Sequence, residues 1–435
     1  MAVEVAEVKN LFLCLIVVAL ISGLAACAQP VTGVVIQSDK QRETSPNVNE
    51  ADLATLVDGN SVFGFDLYQA LREEDDNLFF SPYSISLALA MTYAGARGET
   101  AQQMADTLQF TLSQHRLHPA FNSLDIELSQ RGEAAKGKDG EGFRLNIVNA
   151  IWGQEGYKFL SEFLDVLAEN YGAGLRPLDF ANAPEESRIT INDWVSDQTE
   201  GRIEDLIPQG LIDKLTRLVL TNAIYFNAAW QHPFNEDMTE DGPFYLLDGG
   251  EVTLPMMKQV NMLGYVEGDG YQAVELKCSG KEFSMIIFLP QADQFEAFEG
   301  SLDAQQVSAI LGKLEGKKVT LTMPRFEFES KFNLKGALST MGMPLAFIWP
   351  GADFSGITGK CDLFIRDVVH KAFISVDETG TEAAAATAVV MPPTAVPSKP
   401  IKAIEVKIDH PFIFVIRDIE TGTILLVGRM VAPSA

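Results

Sequence analysis

Glu378-Thr-Gly-Thr-Glu-Ala-Ala-Ala-Ala-Thr387-Ala-Val-Val-Met391-Pro-Pro-Thr394-Ala-Val-Pro-Ser-Lys-Pro400 is the stretch that decides the fold. After an acidic start it runs through small, uncharged side chains poorly suited to a core, near the end of a 435-residue chain. At the two-residue period of a strand, Thr381, Ala383, Ala385, Thr387, Val389 and Met391 share one face. Glu382, Ala384, Ala386, Ala388 and Val390 share the other, so the first face could enter a sheet without burying an ion. Gly380 offers a backbone hinge. Pro392 and Pro393 lack the amide hydrogen of a sheet ladder and should stop such a strand near Met391. From Thr381 it would extend about 36 Å at roughly 3.3 Å per residue.

Four consecutive alanines also suit a helix, and an Ala/Pro/Thr-rich run also suits a linker between domains. The linker fails on the residues after Pro400. Ile404–Ile408, Pro411–Ile416 and Ile424–Val431 are strand-like, but about 30 residues cannot bury a core of their own. They must complete a sheet begun earlier, which makes the stretch an excursion within one domain. No proline, glycine or charge run divides the body after residue 50. Helical patterns lead, mixed elements come next and strands close the chain, the order of an α+β fold.

Together with other segments this stretch resembles the serpin family. The hinge of inhibitory serpins reads acidic residue, any residue, Gly, Thr or Ser, Glu, then small residues, as Glu378 to Thr387 does. Val406-Lys-Ile-Asp-His-Pro-Phe-Ile-Phe-Val-Ile416 resembles the C-terminal signature strand of that family. Asn77-Leu-Phe-Phe-Ser-Pro-Tyr-Ser84, with Leu87-Ala-Leu-Ala-Met91 after it, resembles the start of its buried second helix. Ile191-Asn-Asp-Trp-Val-Ser-Asp-Gln-Thr-Glu-Gly-Arg-Ile203 resembles the helix that crosses the main sheet. Leu220-Thr-Asn-Ala-Ile-Tyr-Phe-Asn-Ala-Ala-Trp230 resembles a central strand of that sheet. The matches are ordered along roughly residues 51–432, which makes them more specific than any single motif.

The resemblance implies a serpin fold over residues 51–435, about nine helices around three β-sheets, with an exposed reactive-centre loop at about 379–403. It implies no catalytic residue and no cofactor, but an irreversible trap. A serine protease attacks the loop and forms an acyl-enzyme. The cut frees the hinge, Glu378, Gly380, Thr381, Glu382, Ala383, Ala384, Ala385, Ala386 and Thr387, and the loop enters the main sheet as a new strand. Counting from Gly380 at the family's spacing places the scissile bond at Thr394–Ala395. Proline after the cut site disfavours Met391–Pro392, Pro392–Pro393, Val396–Pro397 and Lys399–Pro400, which leaves Thr394–Ala395 and Ala395–Val396 standing nearby. A small residue before the bond suits elastase-like or subtilisin-like proteases, with some cysteine proteases as further partners. By the same resemblance Ser81, Ser84, Asn222 and His370 form a polar shutter beneath the opening sheet, and Trp230, Arg325 and Glu378 a breach at its top. A non-inhibitory serpin serving as an extracytoplasmic binding module is the alternative. A solute-binding lipoprotein would need tandem α/β lobes, which the pattern lacks.

The N-terminus reads as a targeting signal. Leu11 to Leu24 is a 14-residue apolar run, too short to span a bilayer, and it ends in Leu24-Ala-Ala-Cys27. This resembles a bacterial lipoprotein signal over residues 1–26 with Cys27 as the lipidated residue, although Glu4 and Glu7 make its start acidic instead of basic. Residues 27–50 read as a flexible tether, up to about 78 Å when extended. The protein is then expected on the cell envelope through its lipid anchor, or secreted, and as a monomer. Cys278 and Cys361 remain, and a core this size needs no staple, so free thiols are expected.

Net charge is −26, or −25 once Glu4, Glu7 and Lys9 leave with the signal. Such a balance argues against nucleic acid, polyanions and docking on anionic lipid. The helix that binds heparin-like activators in some serpins corresponds to Ser113–Arg131, where Arg116 and Arg131 are offset by Asp125 and Glu127, so no such activation is expected. Ser-x-x-Lys, Gly-x-Ser-x-Gly and His-Glu-x-x-His are absent from the sequence. Of the five histidines only His115 and His118 are close neighbours, and without acidic or cysteine company they read as a solvated pair and no metal site. Gly268-Asp-Gly270-Tyr-Gln-Ala273 reads as a hairpin turn, since no helix pattern comes after it as a dinucleotide fingerprint requires.

Overall fold

The computed structural model describes residues 35–72, 76–131, 144–381 and 402–433. Helix α1, Glu50–Leu71, begins where the Asn49 side chain accepts the Asp52 amide at 2.8 Å, with Glu50 and Asp52 in its first turn. Strand β1, Leu78–Phe80, leads into α2, Pro82–Tyr93. Ser81 caps α2 by accepting the Ser84 amide at 3.1 Å, and Pro82 occupies the first turn. Every residue of α2 is buried, so it lacks a polar face and serves as the axis of the core. Helices α3, Gly98–Thr107, and α4, Gln114–Ser129, flank it. Strand β2, Arg144–Gln154, precedes α5, Ser161–Tyr171, which runs almost directly into β3, Leu175–Leu178. Helix α6 spans Pro184–Gln198 and β4 spans Leu218–Ala229.

The remaining strands are β5, Glu240–Tyr245, β6, Glu251–Gly268, β7, Tyr271–Lys277, β8, Phe283–Pro290, β9, Glu315–Pro324, and β10, Phe326–Asn333. Strands β11, Asp367–Val376, β12, Gly380–Thr381, β13, Ile404–Lys407, β14, Phe412–Asp418, and β15, Ile424–Met430, complete the set. One sheet has the order β10-β11-β12-β4-β2-β3. The other runs β1-β15-β14-β8-β7-β6-β9-β13, with β5 on β6. Three sheets were expected; the second and third are joined into one path by the 18 residues of β6. Strands β14 and β15 pair with each other, β14 also with β8 and β15 also with β1. Strands from before residue 380 and after residue 400 thus share one sheet, and the segment between them is an excursion inside one fold. The Gly268–Tyr271 turn closes the β6–β7 hairpin, as expected.

Alternation along β4 separates two cores. Leu218, Leu220, Ile224, Phe226 and Ala228 belong to the main core around α2, whereas Val219 and Ala223 join Ile191 and Val195 of α6 on the opposite face. Arg176 of β3 helps pin α6 there, lying 4.5 Å from the Trp194 ring centroid and 5.6 Å from that of Trp152.

Two expectations are corrected. Residues 35–49, read as part of a flexible tether, lie against the body, with Ile36 bridged to Leu175 and Arg42 bonded to Asn122 and Asp125. His118 is not solvated: it is buried, its Nδ1 is 2.7 Å from the Tyr171 hydroxyl, and burial pulls its pKa down to about 4. The three-residue step from His115 turns the second ring to the core side of α4, a placement that two neighbouring polar residues do not suggest. Cys278 and Cys361 are free, and burial pushes the Cys278 thiol up to about 12, where it is inert.

Candidate functional site

The site is a seam between β4 and β11. These strands run parallel and pair directly from Val219 against Asp367 to Tyr225 against Phe373. Above Tyr225 and Phe373 they part, and β12 lies between them, antiparallel to both. Thr381 is opposite Val376 on one side and Ala228 on the other. The top of the seam is therefore occupied by the two residues of β12, Gly380 and Thr381.

The hinge glycine is needed for space. A Cβ on Gly380 would lie 2.2 Å from the Ala228 carbonyl oxygen and 2.6 Å from the Ala229 Cα. Close backbone approach, not an unusual backbone angle, excludes every other residue here. Of the expected hinge, Glu378, Gly380 and Thr381 fall within the described residues; Glu382, Ala383, Ala384, Ala385, Ala386 and Thr387 lie outside them, as do Thr394, Ala395 and Cys27.

Above the wedge lie Arg325, Glu378 and Trp230. Glu378 is only 3% exposed, and both its carboxylate oxygens lie 2.7 Å from Arg325 Nη2. Thr239 Oγ1 donates to Glu378 Oε1 at 2.6 Å, a partner with no signal in the sequence. Burial pushes this carboxyl up, but the bonds from Arg325 and Thr239 outweigh it and leave the group below the ordinary carboxylate range. Because the Arg325 side chain is 49% exposed, the pair matters chiefly for keeping a buried charge satisfied. Trp230 closes the corner: its amide donates to Thr379 O at 2.8 Å and its indole to Asp377 O at 2.9 Å.

Below the wedge a polar row crosses the seam against α2. Asn149 of β2 is paired with Asn222 of β4, and Asn222 with His370 of β11. The Ser81 amide donates to His370 Nε2 at 3.2 Å, which fixes Nε2 as the acceptor and places the ring proton on Nδ1. Nδ1–H donates to Asn222 Oδ1, and Asn222 Nδ2 donates to Ser84 Oγ at 2.5 Å and to Asn149 Oδ1. Ser81 Oγ donates to Leu425 O at 2.6 Å. Ser81, Ser84, Asn222 and His370 are thus joined in one hydrogen-bonded cluster. Asn149 was missed; its signal is a lone amide on the inward face of the apolar strand Ile147-Val-Asn-Ala-Ile151.

The outer face of the seam is held from the segment after α6. Lys371 Nζ donates to Glu204 O at 3.1 Å and pairs with Glu329 at 2.9 Å, while Lys331 Nζ donates to Asp205 O at 2.7 Å. Among the described residues no cluster of three His, Cys, Asp or Glu could hold a metal. Among the described residues the seam pairs no nucleophile with a base.

The geometry gives two measurable outcomes. Gly380→Ala should expel β12, destabilise the intact protein by roughly 1–3 kcal/mol and speed amide exchange at Trp230, whose hydrogen-bond acceptor is Thr379 O. His370 is held neutral by burial, its pKa drawn down to about 3. Since the unfolded imidazole titrates near 6.5, the unfolded chain binds the proton first. Stability is then complete above about pH 6.5 and falls as pH drops toward 3, by at most about 1.4 kcal/mol per unit for this group. Denaturant melts of His370→Gln across that window should show a shallower slope than the parent.

Comparison with known proteins agrees with this geometry. The profile of the serpin (serine protease inhibitor) family matches residues 58–433. A serpin-like protein of Thermococcus kodakarensis, described as uncharacterized, is 43% identical over 389 residues, covering 89% of this chain and 88% of its own length. Leukocyte elastase inhibitor of Homo sapiens is 38% identical over 392 residues, covering 87% and 99%. The thermophilic serpin tengpin in its native state matches with a TM-score of 0.79 at 26% identity, covering 92% of this chain and all of its own. The chain belongs to the serpin family of serine protease inhibitors and is not an enzyme.

Proposed function

We propose that this protein is an irreversible, suicide-type inhibitor of serine proteases that traps the acyl-enzyme by inserting its cleaved loop between β4 and β11. The observation that carries this reading is the register of β12. Thr381 faces Ala228 and Val376. Continued antiparallel down the seam, the same register sets Thr387 between Asn222 and His370 and Met391 opposite Leu218, the first residue of β4. The insertable stretch is therefore as long as the lane, and the prolines begin where the lane ends.

The faces agree as well. Residues paired across strands point to the same side, so the row from Thr381 to Met391 would join Asn222, Ile224 and Ala228 over the main core. Small or apolar groups suit that side, and Thr387 brings a hydroxyl to the polar row. Glu382 would face α6 and the rim. Insertion trades an open loop for a ladder bonded on both edges, so the uncut form is held by a barrier above a more stable state.

Thr394–Ala395 is the proposed scissile bond, with elastase-like or subtilisin-like proteases as targets; one relative's name, leukocyte elastase inhibitor, points the same way. The proposed location is outside the cytoplasm, lipid-anchored through Cys27 or secreted, with the protein a monomer. Incubation with pancreatic elastase, subtilisin and trypsin should give a complex that survives a denaturing gel with the first two. Thr381→Arg should be cleaved without forming one, and the nicked parent should melt well above the intact protein. Absence of any stable complex would favour a non-inhibitory binding role. Mass spectrometry of the mature N-terminus should find a diacylglycerol-modified cysteine at position 27; a chain beginning before it would remove the anchor.

A further inference from the structure

Exposed apolar side chains are ordinary when scattered singly. Val260 and Met262 differ in being neighbours. They stand two residues apart on one face of β6, 51% and 62% exposed, while Gln259 and Leu263 turn to the buried side. The ladders extend that face across two more strands. Val260 is paired with Thr320 of β9, and Thr320 with Glu405 of β13. One row on, Lys258 is paired with Thr322, and Thr322 with Lys407, while in the other direction Met262 is paired with Lys318. The result is a flat surface with apolar groups at its centre and ammonium groups around them. Lys407 is engaged by Asp409 at 2.8 Å, whereas Lys258 and Lys318 are exposed and have no ion-pair partner among the described residues.

An apolar centre inside a polar rim is the anatomy of a docking surface. In a chain of net charge −26, lysines left uncompensated on such a surface favour a partner that brings carboxylates. Position indicates which partner. Strand β13 is where the chain resumes after the reactive loop, and its Glu405 stands in one row with Thr320 and Val260. Ala395 precedes Ile404 by nine residues. Whatever course they take, these hold the proposed scissile bond within about 31 Å of Ile404, at about 3.4 Å per residue. A protease domain of about 200 residues has a radius of gyration of about 16 Å and is roughly 42 Å across. A protease engaged at that bond is thus wider than its tether is long, and its flank beyond the leaving side of the bond is carried within reach of this face.

We propose that the outward face of β6, β9 and β13, centred on Val260 and Met262, is a second contact surface for the target protease, taking an apolar patch ringed by carboxylates beside the protease's cleft. This rests on the inhibitory reading above and adds a determinant of target choice that lies outside the loop. Its consequence is kinetic. Charge steers the encounter and apolar burial slows dissociation of the first, uncut complex, while the partition between trapping and release stays with the loop.

Val260→Glu, Met262→Glu and Lys258→Glu in the full-length chain test the face, with Leu215→Glu, an exposed apolar residue just before β4, as the control. With pancreatic elastase or subtilisin the association rate constant for inhibition should fall about fivefold or more in the three face variants. The number of inhibitor molecules consumed per protease should stay the same, and added salt should slow the parent more than Lys258→Glu. The same loss should appear in the affinity for protease whose nucleophilic serine is replaced by alanine, which binds without being trapped. Rate and affinity unchanged in all three variants with both proteases, or an equal fall in Leu215→Glu, overturn the proposal. So does sedimentation of the parent as a dimer that Met262→Glu dissolves, which gives the face to a second copy of the chain. If the parent itself forms no covalent complex, the trapping reading falls, and affinity for the serine-to-alanine protease still decides whether the face docks it.

Discussion

The parallel pairing of β4 with β11 is the constraint on which the rest of this structure depends. It closes the sheet over seven residue pairs, yet a strand of opposite direction already stands between its two members at the upper end. Each neighbouring feature bears on that seam. Arg325 and Thr239 fix Glu378 at its upper end, Trp230 bonds the turn that delivers Gly380, and the Asn149–Asn222–His370 row spans it underneath. Lys371 reaches from the seam to the segment after α6 on the outer face.

The chemistry of the seam differs from that of the second sheet, and the contrast has a physical reason. Strands β14 and β15 are buried almost throughout, and apart from Arg417, Asp418 and Arg429 their side chains are apolar, so beyond the backbone ladder most of what their side chains lose on a slight separation is contact. A buried hydrogen-bond row behaves differently. It is satisfied only when every partner is in place, and opening it part-way leaves Asn222 and His370 unpaired in a low-dielectric interior. On the proposed reading, intermediate separations are thereby penalised more than either end state, which would hold the sheet shut and still leave it convertible. A hydroxyl arriving at the same level, as Thr387 would on the proposed register, supplies a replacement partner at the far end of the movement.

Much of this is legible in the sequence for identifiable reasons. The loop announces itself through the two-residue period, its small side chains and the prolines that close it, and the strands after Pro400 are too few to stand alone. Ser81, Ser84, Asn222 and His370 are legible through resemblance, not pattern, because they come from three distant segments. Thr239 and the Phe234 amide, which serve Glu378, carry no local signal at all. The docked N-terminal segment passes for a tether because it is polar and aperiodic. Its order comes from side-chain bonds to residues about 80 to 130 positions away, such as Ser38 to Asp165 and Arg42 to Asn122, and one-dimensional patterning does not register those. His118 deceives for the related reason that a polar name does not say which face of α4 it occupies.

Chain length explains why a cut should be the trigger on the proposed reading. Residues 382–403 join β12 in one sheet to β13 in the other, and both ends are fastened. The β13 end lies toward the top of the seam, because β13 runs beside β9 and Arg325, the residue after β9, bonds Glu378. If Met391 descended to Leu218 in an uncut chain, the return path would have to climb β4 from there to Ala228, about 33 Å. Only residues 392–403 would remain to make that climb, about 41 Å when fully extended, with Pro392, Pro393, Pro397 and Pro400 restricting their course. So taut a return costs conformational entropy that the new ladder must overcome, or else β13 must leave its sheet. On that reading, acylation at the Thr394–Ala395 bond, in which the protease's serine takes the Thr394 carbonyl and the Ala395 amine leaves, removes the return path altogether, so the barrier falls at the step where the protease is still joined to the loop.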